Sequence, residues 1–119
     1  MNAIPIVKIS EISDYIKRDI REIKFVCEVT EKIILDEDKL TVIRVRDDTG
    51  LIDVKLFGDK EEREFITKDI SRGDKLLIVG YVVELDSEIY ISPKGIRKIN
   101  DEWYDYYLLR YLRFRKKQY

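Results

Sequence analysis

From Lys24 to Ile99 apolar and polar residues trade places with a period of two, in runs broken by short turns. A chain patterned this way has one apolar face per strand to bury, so it folds as a sheet that packs on or closes upon itself. Phe25, Cys27 and Val29 alternate with Val26, Glu28 and Thr30 in a first strand running toward Leu35, and Asp36–Lys39 turns it. Leu40 to Arg46 is a second strand, with Ile43 and Val45 inward and Arg44 and Arg46 outward. Asp47-Asp48-Thr49-Gly50 spells a turn in which Gly50 is expected to supply a left-handed φ. Leu51 to Phe57 sets Ile52, Val54 and Leu56 against Asp53, Lys55 and Phe57. Asp59 to Lys68 has helical composition, with Phe65, Ile66 and Ile70 available to plug a core. Ser71-Arg72-Gly73-Asp74 turns into the strand Lys75 to Leu85, where Gly80 marks a bulge or a close approach. Asp86-Ser87 is a tight turn into Glu88 to Ser92; Pro93 is expected to stop the ladder, and Ile96 to Ile99 leads out.

Three strands, a helix and two strands leave exposed edges unless the sheet closes, and a helix between the third and fourth strands can cap one end of a closed barrel. The expected fold is therefore all-β with helices: a five-stranded Greek-key barrel of the oligonucleotide/oligosaccharide-binding (OB) type, followed by a C-terminal helix. Residues 1–100 form the barrel domain and its lead-in, and residues 101–119 a separate assembly helix. In the lead-in, Ile12, Ile16, Ile20 and Ile23 recur on one helical face, with Ser10 as a cap.

Composition narrows the function classes. The 119 residues carry 23 Lys and Arg against 24 Asp and Glu, a net charge of −1, and no His. The usual neutral-pH acid–base group and commonest metal ligand are thus missing. The five glycines are scattered singly, so no phosphate-cradling loop exists, and no Ser or Cys has a His base. A binding module is expected rather than an enzyme, with no cofactor. Cys27 is alone among strand residues and reads as a small core side chain. No run of about 18 apolar residues and no secretory leader is evident, so a cytoplasmic protein without a membrane partner is expected. Heavy use of Lys, Glu, Arg and Ile suits a thermophile.

Two features carry the binding argument. Phe57 shares a strand face with Asp53 and Lys55, so alternation aims a large aromatic at solvent. Either it packs under the following helix or at the rim, or it is a platform on which a nucleobase stacks. Arg44, Arg46 and Lys55 surround it as candidate phosphate contacts, with Tyr81 and Tyr90 as further aromatic candidates on the last two strands. The second feature is the C-terminal helix. Asn100 or Asp101 caps it, acidic residues open it and basic residues close it. Trp103, Tyr107, Tyr111 and Phe114 make one stripe, Tyr104, Leu108 and Leu112 its neighbour. A helix apolar around most of its circumference is not satisfied by one barrel wall. It caps its own barrel, lies on a membrane surface, or packs against helices of another subunit, and the last is the expectation.

Val45-Arg46-Asp47-Asp48-Thr49-Gly50, followed by Ile52, Val54 and Phe57, resembles the strand–turn–strand signature of the OB domains of the replication protein A family. Gly73-Asp74 ahead of an apolar strand and Gly80-Tyr81 within it fit the same pattern, over about residues 7–99. An OB domain ending in one apolar helix looks most like the middle subunit of the heterotrimeric single-stranded DNA-binding protein, in its archaeal form. The resemblance implies DNA replication and repair, single-stranded DNA binding, and other OB-fold subunits joined through a three-helix bundle; the acidic balance of residues 1–109 makes weak binding the expectation. It puts a base-stacking role on Phe57. Trp103, Tyr107, Leu108, Tyr111 and Leu112 become bundle residues. Leu85 stands near the family's second stacking aromatic, a departure that Tyr81 or Tyr90 would have to make good. The resemblance does not extend to the winged-helix segment and phosphorylated tail of the eukaryotic subunit. Two other readings stay open: a protein-interaction OB subunit that leaves nucleic acid to its partners, and an RNA- or tRNA-binding module.

Overall fold

Five strands, β1 (Glu22–Leu35), β2 (Leu40–Arg46), β3 (Leu51–Phe57), β4 (Lys75–Leu85) and β5 (Glu88–Ile99), close into a barrel in the order β1-β2-β3-β5-β4. This computed structural model describes residues 3–35 and 39–117; the turn expected at Asp36–Lys39 lies largely outside them. Every neighbouring pair is antiparallel except β3 and β5, which meet in parallel at Val54 and Ile91. Helix α1 (Ile12–Lys17) precedes the barrel, α2 (Lys60–Thr67) joins β3 to β4, and α3 (Asp101–Lys117) follows β5.

The inward set is the one the alternation dictates: Ile23, Phe25, Cys27, Val29, Ile43, Val45, Val54, Leu76, Ile78 and Ile91 are essentially inaccessible to solvent. Burial pushes the Cys27 thiol well above its usual range, as a packed core side chain requires. One strand, β1, serves two neighbours. Its first half pairs with β4 and its second with β2, and a bulge between Val29 and Glu31 bends it from one to the other.

At Gly80 the ladder slips again. A Cβ there would stand 2.6 Å from the Ser92 carbonyl oxygen, a backbone atom with no freedom to withdraw. Gly80→Ala is therefore expected to cost about 1–3 kcal/mol by overpacking, read as a lower midpoint in chemical denaturation. The same irregularity explains why Pro93 does not stop β5. It pairs opposite Gly80 at the slip, where its missing N–H interrupts a ladder already interrupted, and the strand continues to Ile99.

Three other expectations are corrected. The lead-in helix is short: α1 ends at Lys17, Asp19 adopts φ 60°, and Ile23 belongs to β1. Ile6, Val7, Ile9, Ile12 and Tyr15 are buried, so the lead-in closes the barrel's own core. Gly50 does not take a left-handed φ. The Asp47 carboxylate makes that turn instead, accepting from the Thr49 N–H (2.7 Å), the Gly50 N–H (3.2 Å) and, through its other oxygen, the Ile9 N–H (2.9 Å). In α2 it is Arg63 and Thr67 that are buried, with Arg63 donating to the Gly58 carbonyl (3.0 Å) and the Thr41 hydroxyl (2.9 Å). Phe65 and Ile66 face solvent, and of the three expected plugs only Ile70 is buried. Asp86 and Ser87, both with positive φ, form the two-residue turn that matches strand twist in a hairpin.

Helix α3 lies across β1 and β4. Asn100 caps it, its side-chain oxygen accepting from the Trp103 N–H at 2.8 Å. Lys75 ties its first turn through Asp101 (2.8 Å) and sits over the Tyr104 ring. Glu11 accepts from the Tyr111 hydroxyl (3.0 Å) and pairs with Arg115 (2.9 Å). Burial and the neighbouring Glu11 push the Tyr111 phenol up to about 12, and burial also raises Tyr104 and Tyr15. A folded-state pKa above the unfolded value of about 10 stabilises the docked helix below that pH. That contribution is lost as pH rises through about 10 to 12. Far-UV circular dichroism over that window is expected to show α3 loosening, and Tyr111→Phe to shift the onset.

Candidate nucleic-acid interface

Strand register decides which outward side chains meet. Leu35, Leu40 and Phe57 are directly opposed across β1, β2 and β3 and so share one row of the outer face. The next row holds Ile33, Val42 and Lys55, then Glu31, Arg44 and Asp53, then Glu28, Arg46 and Leu51. Phe57 is 60% exposed, so it does not pack beneath α2. Its ring lies 6.4 Å from that of Tyr90 on β5, at 57°. Lys55 reaches over Tyr90, its ammonium 4.6 Å from the ring centroid.

Phe57, Lys55 and Tyr90 are thus brought together, with the aliphatic Leu35 and Leu40 beside them. Those two leucines were not among the candidates from sequence. Counting by twos from Phe57 across a four-residue hairpin loop would have found them. Tyr81 is on the same outer face, one pair diagonally from Tyr90, with Lys94 over its ring at 5.2 Å. Leu85 stands exposed at the end of β4, opposite Glu88.

The basic residues are less open than their positions suggest. Arg44 grips Asp53 with two nitrogens (2.8 and 3.3 Å) and lies 3.7 Å from Glu31. The hydrogen bonds and charge of Asp53 hold that guanidinium above its ordinary value. Arg46 pairs with Glu28 at 3.3 Å, and Lys55 with Glu88 at 2.7 Å. A phosphate here displaces a carboxylate from each cation it meets. The pair of Arg46 and Glu28 is largely exposed and worth about 0–1 kcal/mol, whereas Lys55 and Asp53 are mostly covered and their pairs are harder to open, so the exchange leaves little net gain. Glu88→Gln, which frees Lys55, is therefore expected to tighten binding of a labelled oligothymidine about two- to five-fold at low salt and to steepen its salt dependence.

The apolar circumference of α3 divides. Tyr104, Leu108 and Tyr111, expected to face partner subunits, are half-buried on the barrel side with Arg115. Trp103, Tyr106, Leu109 and Leu112 are exposed, and Tyr107 and Phe114 are half-buried at the margin. Trp103, Tyr106 and Tyr107 form an aromatic cluster with centroids 5.4–6.2 Å apart. Among the described residues no helix is long and apolar enough to cross a membrane.

No family profile matches the chain, and no curated protein sequence matches it. Solved structures do. A chain from a replication protein A heterotrimer bound to ssDNA aligns with a TM-score of 0.75 at 16% identity, covering 98% of both chains. A chain from the S. pombe Stn1–Ten1 complex aligns with a TM-score of 0.71 at 18% identity over 83% of this chain and 74% of its own. An OBody bound to hen egg-white lysozyme aligns at 0.57 and 20% identity, over 66% of this chain and 81% of its own. At such identities the likeness is one of architecture, and together with the closed five-stranded barrel it makes this chain an OB-fold protein.

Proposed function

We propose that the chain is a single-stranded DNA-binding OB subunit of a replication protein A-like complex, working in DNA replication or repair and joined to other OB-fold subunits through the exposed side of α3. The observation that carries this reading is the solvent-facing Phe57 beside Tyr90 and Lys55, on an outer sheet face with aliphatic neighbours. Aromatic rings on an OB sheet stack on bases irrespective of sequence, each worth about 1–3 kcal/mol. The similarity to a chain of an ssDNA-bound heterotrimer runs through α3 as well as the barrel, which supports the assembly half of the proposal.

Charge argues that binding is weak. Residues 110–119 hold five basic and no acidic groups, which leaves −6 on residues 1–109. With Arg44, Arg46 and Lys55 each facing a carboxylate, few counterions are released and the salt slope is shallow. Those pairs favour one second reading, a protein-interaction subunit that leaves nucleic acid to its partners. Titrating a fluorescent oligothymidine and its RNA counterpart with the purified chain at low salt separates the two. Saturable binding with DNA ahead of RNA supports the proposal. No binding to either, alone or within the assembled complex, supports the second reading.

A further inference from the structure

We propose that the free edge of β5, Lys94 to Ile99, is a docking site for an extended, acidic segment of a partner protein, which adds a strand to the barrel. The inference concerns the edge of β5 rather than the cluster of Phe57, Lys55 and Tyr90, and does not depend on DNA binding. Up to Pro93, β5 has β4 on one side and meets β3 on the other at Ile91. Beyond Pro93 its described pairing is with β4 alone, from Val79–Gly95 to Lys75–Ile99. An unpaired strand edge presents backbone donors and acceptors that an added strand satisfies.

Three further observations give the occupant its character. Beside the edge runs a groove of about 380 Å³, lined by Leu56, Phe65, Ile66, Pro93 and Ile96. Phe65 is 72% exposed, so α2 presents to this groove the apolar side chains that its core position does not use. Gly95 has no left-handed φ and nothing within 4 Å of where a Cβ would stand, so neither conformation nor crowding inside the barrel requires a glycine. A glycine in a strand interior without an internal reason is suited to the close approach of another backbone. Finally, the edge carries Lys94, Arg97 and Lys98. Lys94 pairs with Glu22 (2.6 Å) and Lys98 with Asp74 (3.3 Å), whereas Arg97, exposed, has no ion-pair partner among the described residues and is the cation an acidic strand would meet first. A second copy pairing here would set these cations against their own kind, whereas an acidic strand meets them with opposite charge. Alternating acidic and apolar side chains thus answer both the cations and the groove.

The test uses the full chain, isotope-labelled, titrated with a short blocked peptide alternating Glu with Val and Leu, and with a counterpart carrying Lys for Glu. The proposal predicts shifted and exchange-protected amides over residues 94–99 with the acidic peptide only. Arg97→Glu and Phe65→Ser, both at exposed positions that leave the fold intact, should each weaken that response about five-fold or more, while Phe57→Ala leaves it unchanged. Equal responses to both peptides overturn the proposal, as do shifts confined to other surfaces or no response at millimolar peptide. So does an oligothymidine that shifts amides 94–99 where the acidic peptide does not.

Discussion

Phe57→Ala is expected to weaken single-stranded DNA binding roughly five- to hundred-fold while leaving the barrel's denaturation midpoint nearly unchanged. The first half follows from the loss of one base-stacking platform, about 1–3 kcal/mol, with about 1.4 kcal/mol per tenfold. The second follows from position. Phe57 is the last residue of β3, mostly exposed, and its neighbours Leu40 and Tyr90 are held by their own strands. Phe57→Trp should keep or strengthen binding, because a larger ring stacks over more of a base. Tyr90→Ala should weaken it too, since Lys55 then loses the ring beneath its ammonium. A Phe57→Ala protein that binds DNA as well as the parent would show that this face is not the site.

The second large effect concerns α3. Trp103→Ser, Leu109→Ser and Leu112→Ser in combination are expected to abolish co-purification with partner subunits without lowering the stability of the isolated chain. These side chains are exposed and contribute little to the barrel's own burial. The opposite face behaves differently. Tyr104→Ala or Leu108→Ala removes a half-buried contact with the barrel and should cost about 1–2 kcal/mol. Deleting residues 102–119 mixes both effects, since it also strips Tyr111 and Arg115 from Glu11. The face-specific variants keep assembly and stability apart. If the exposed triple variant still assembles, the subunit contact lies elsewhere.

The strands were legible because burial in a closed sheet imposes a strict period of two, and turn residues mark where each run ends. β2, β3 and β4 begin and end where the alternation does. Helical spacing misled where it ran across a backbone break. Ile12, Ile16, Ile20 and Ile23 have the periodicity of one helix, yet Asp19 turns left-handed and Ile23 starts a strand. Pro93 stayed within β5 because a bulge opposite Gly80 tolerates it, and nothing local to Pro93 announces a partner thirteen residues earlier. Hydrophobicity offers Phe65 and Ile66 to the core because it says what prefers burial, not which side of a short helix the barrel end meets. Arg63, held by Gly58 and Thr41, took that side.

The candidate site was legible in part for the same reason. Alternation put Phe57, Arg44, Arg46 and Lys55 outward, and they are outward. That Tyr90 completes the cluster depends on the parallel meeting of β3 and β5, a contact between residues far apart in sequence. The carboxylates opposite each cation come from strand register, which period-two reasoning alone does not supply.

The most direct test of the central claim is photo-crosslinking of a 4-thiothymidine oligonucleotide to the purified chain at low salt, with the adducts mapped by mass spectrometry. The account predicts adducts on β3 and β5 at Phe57 and Tyr90, falling only modestly as salt rises and lost in Phe57→Ala. Adducts confined to the basic end of α3, or none while partner subunits in the same complex crosslink efficiently, would contradict it.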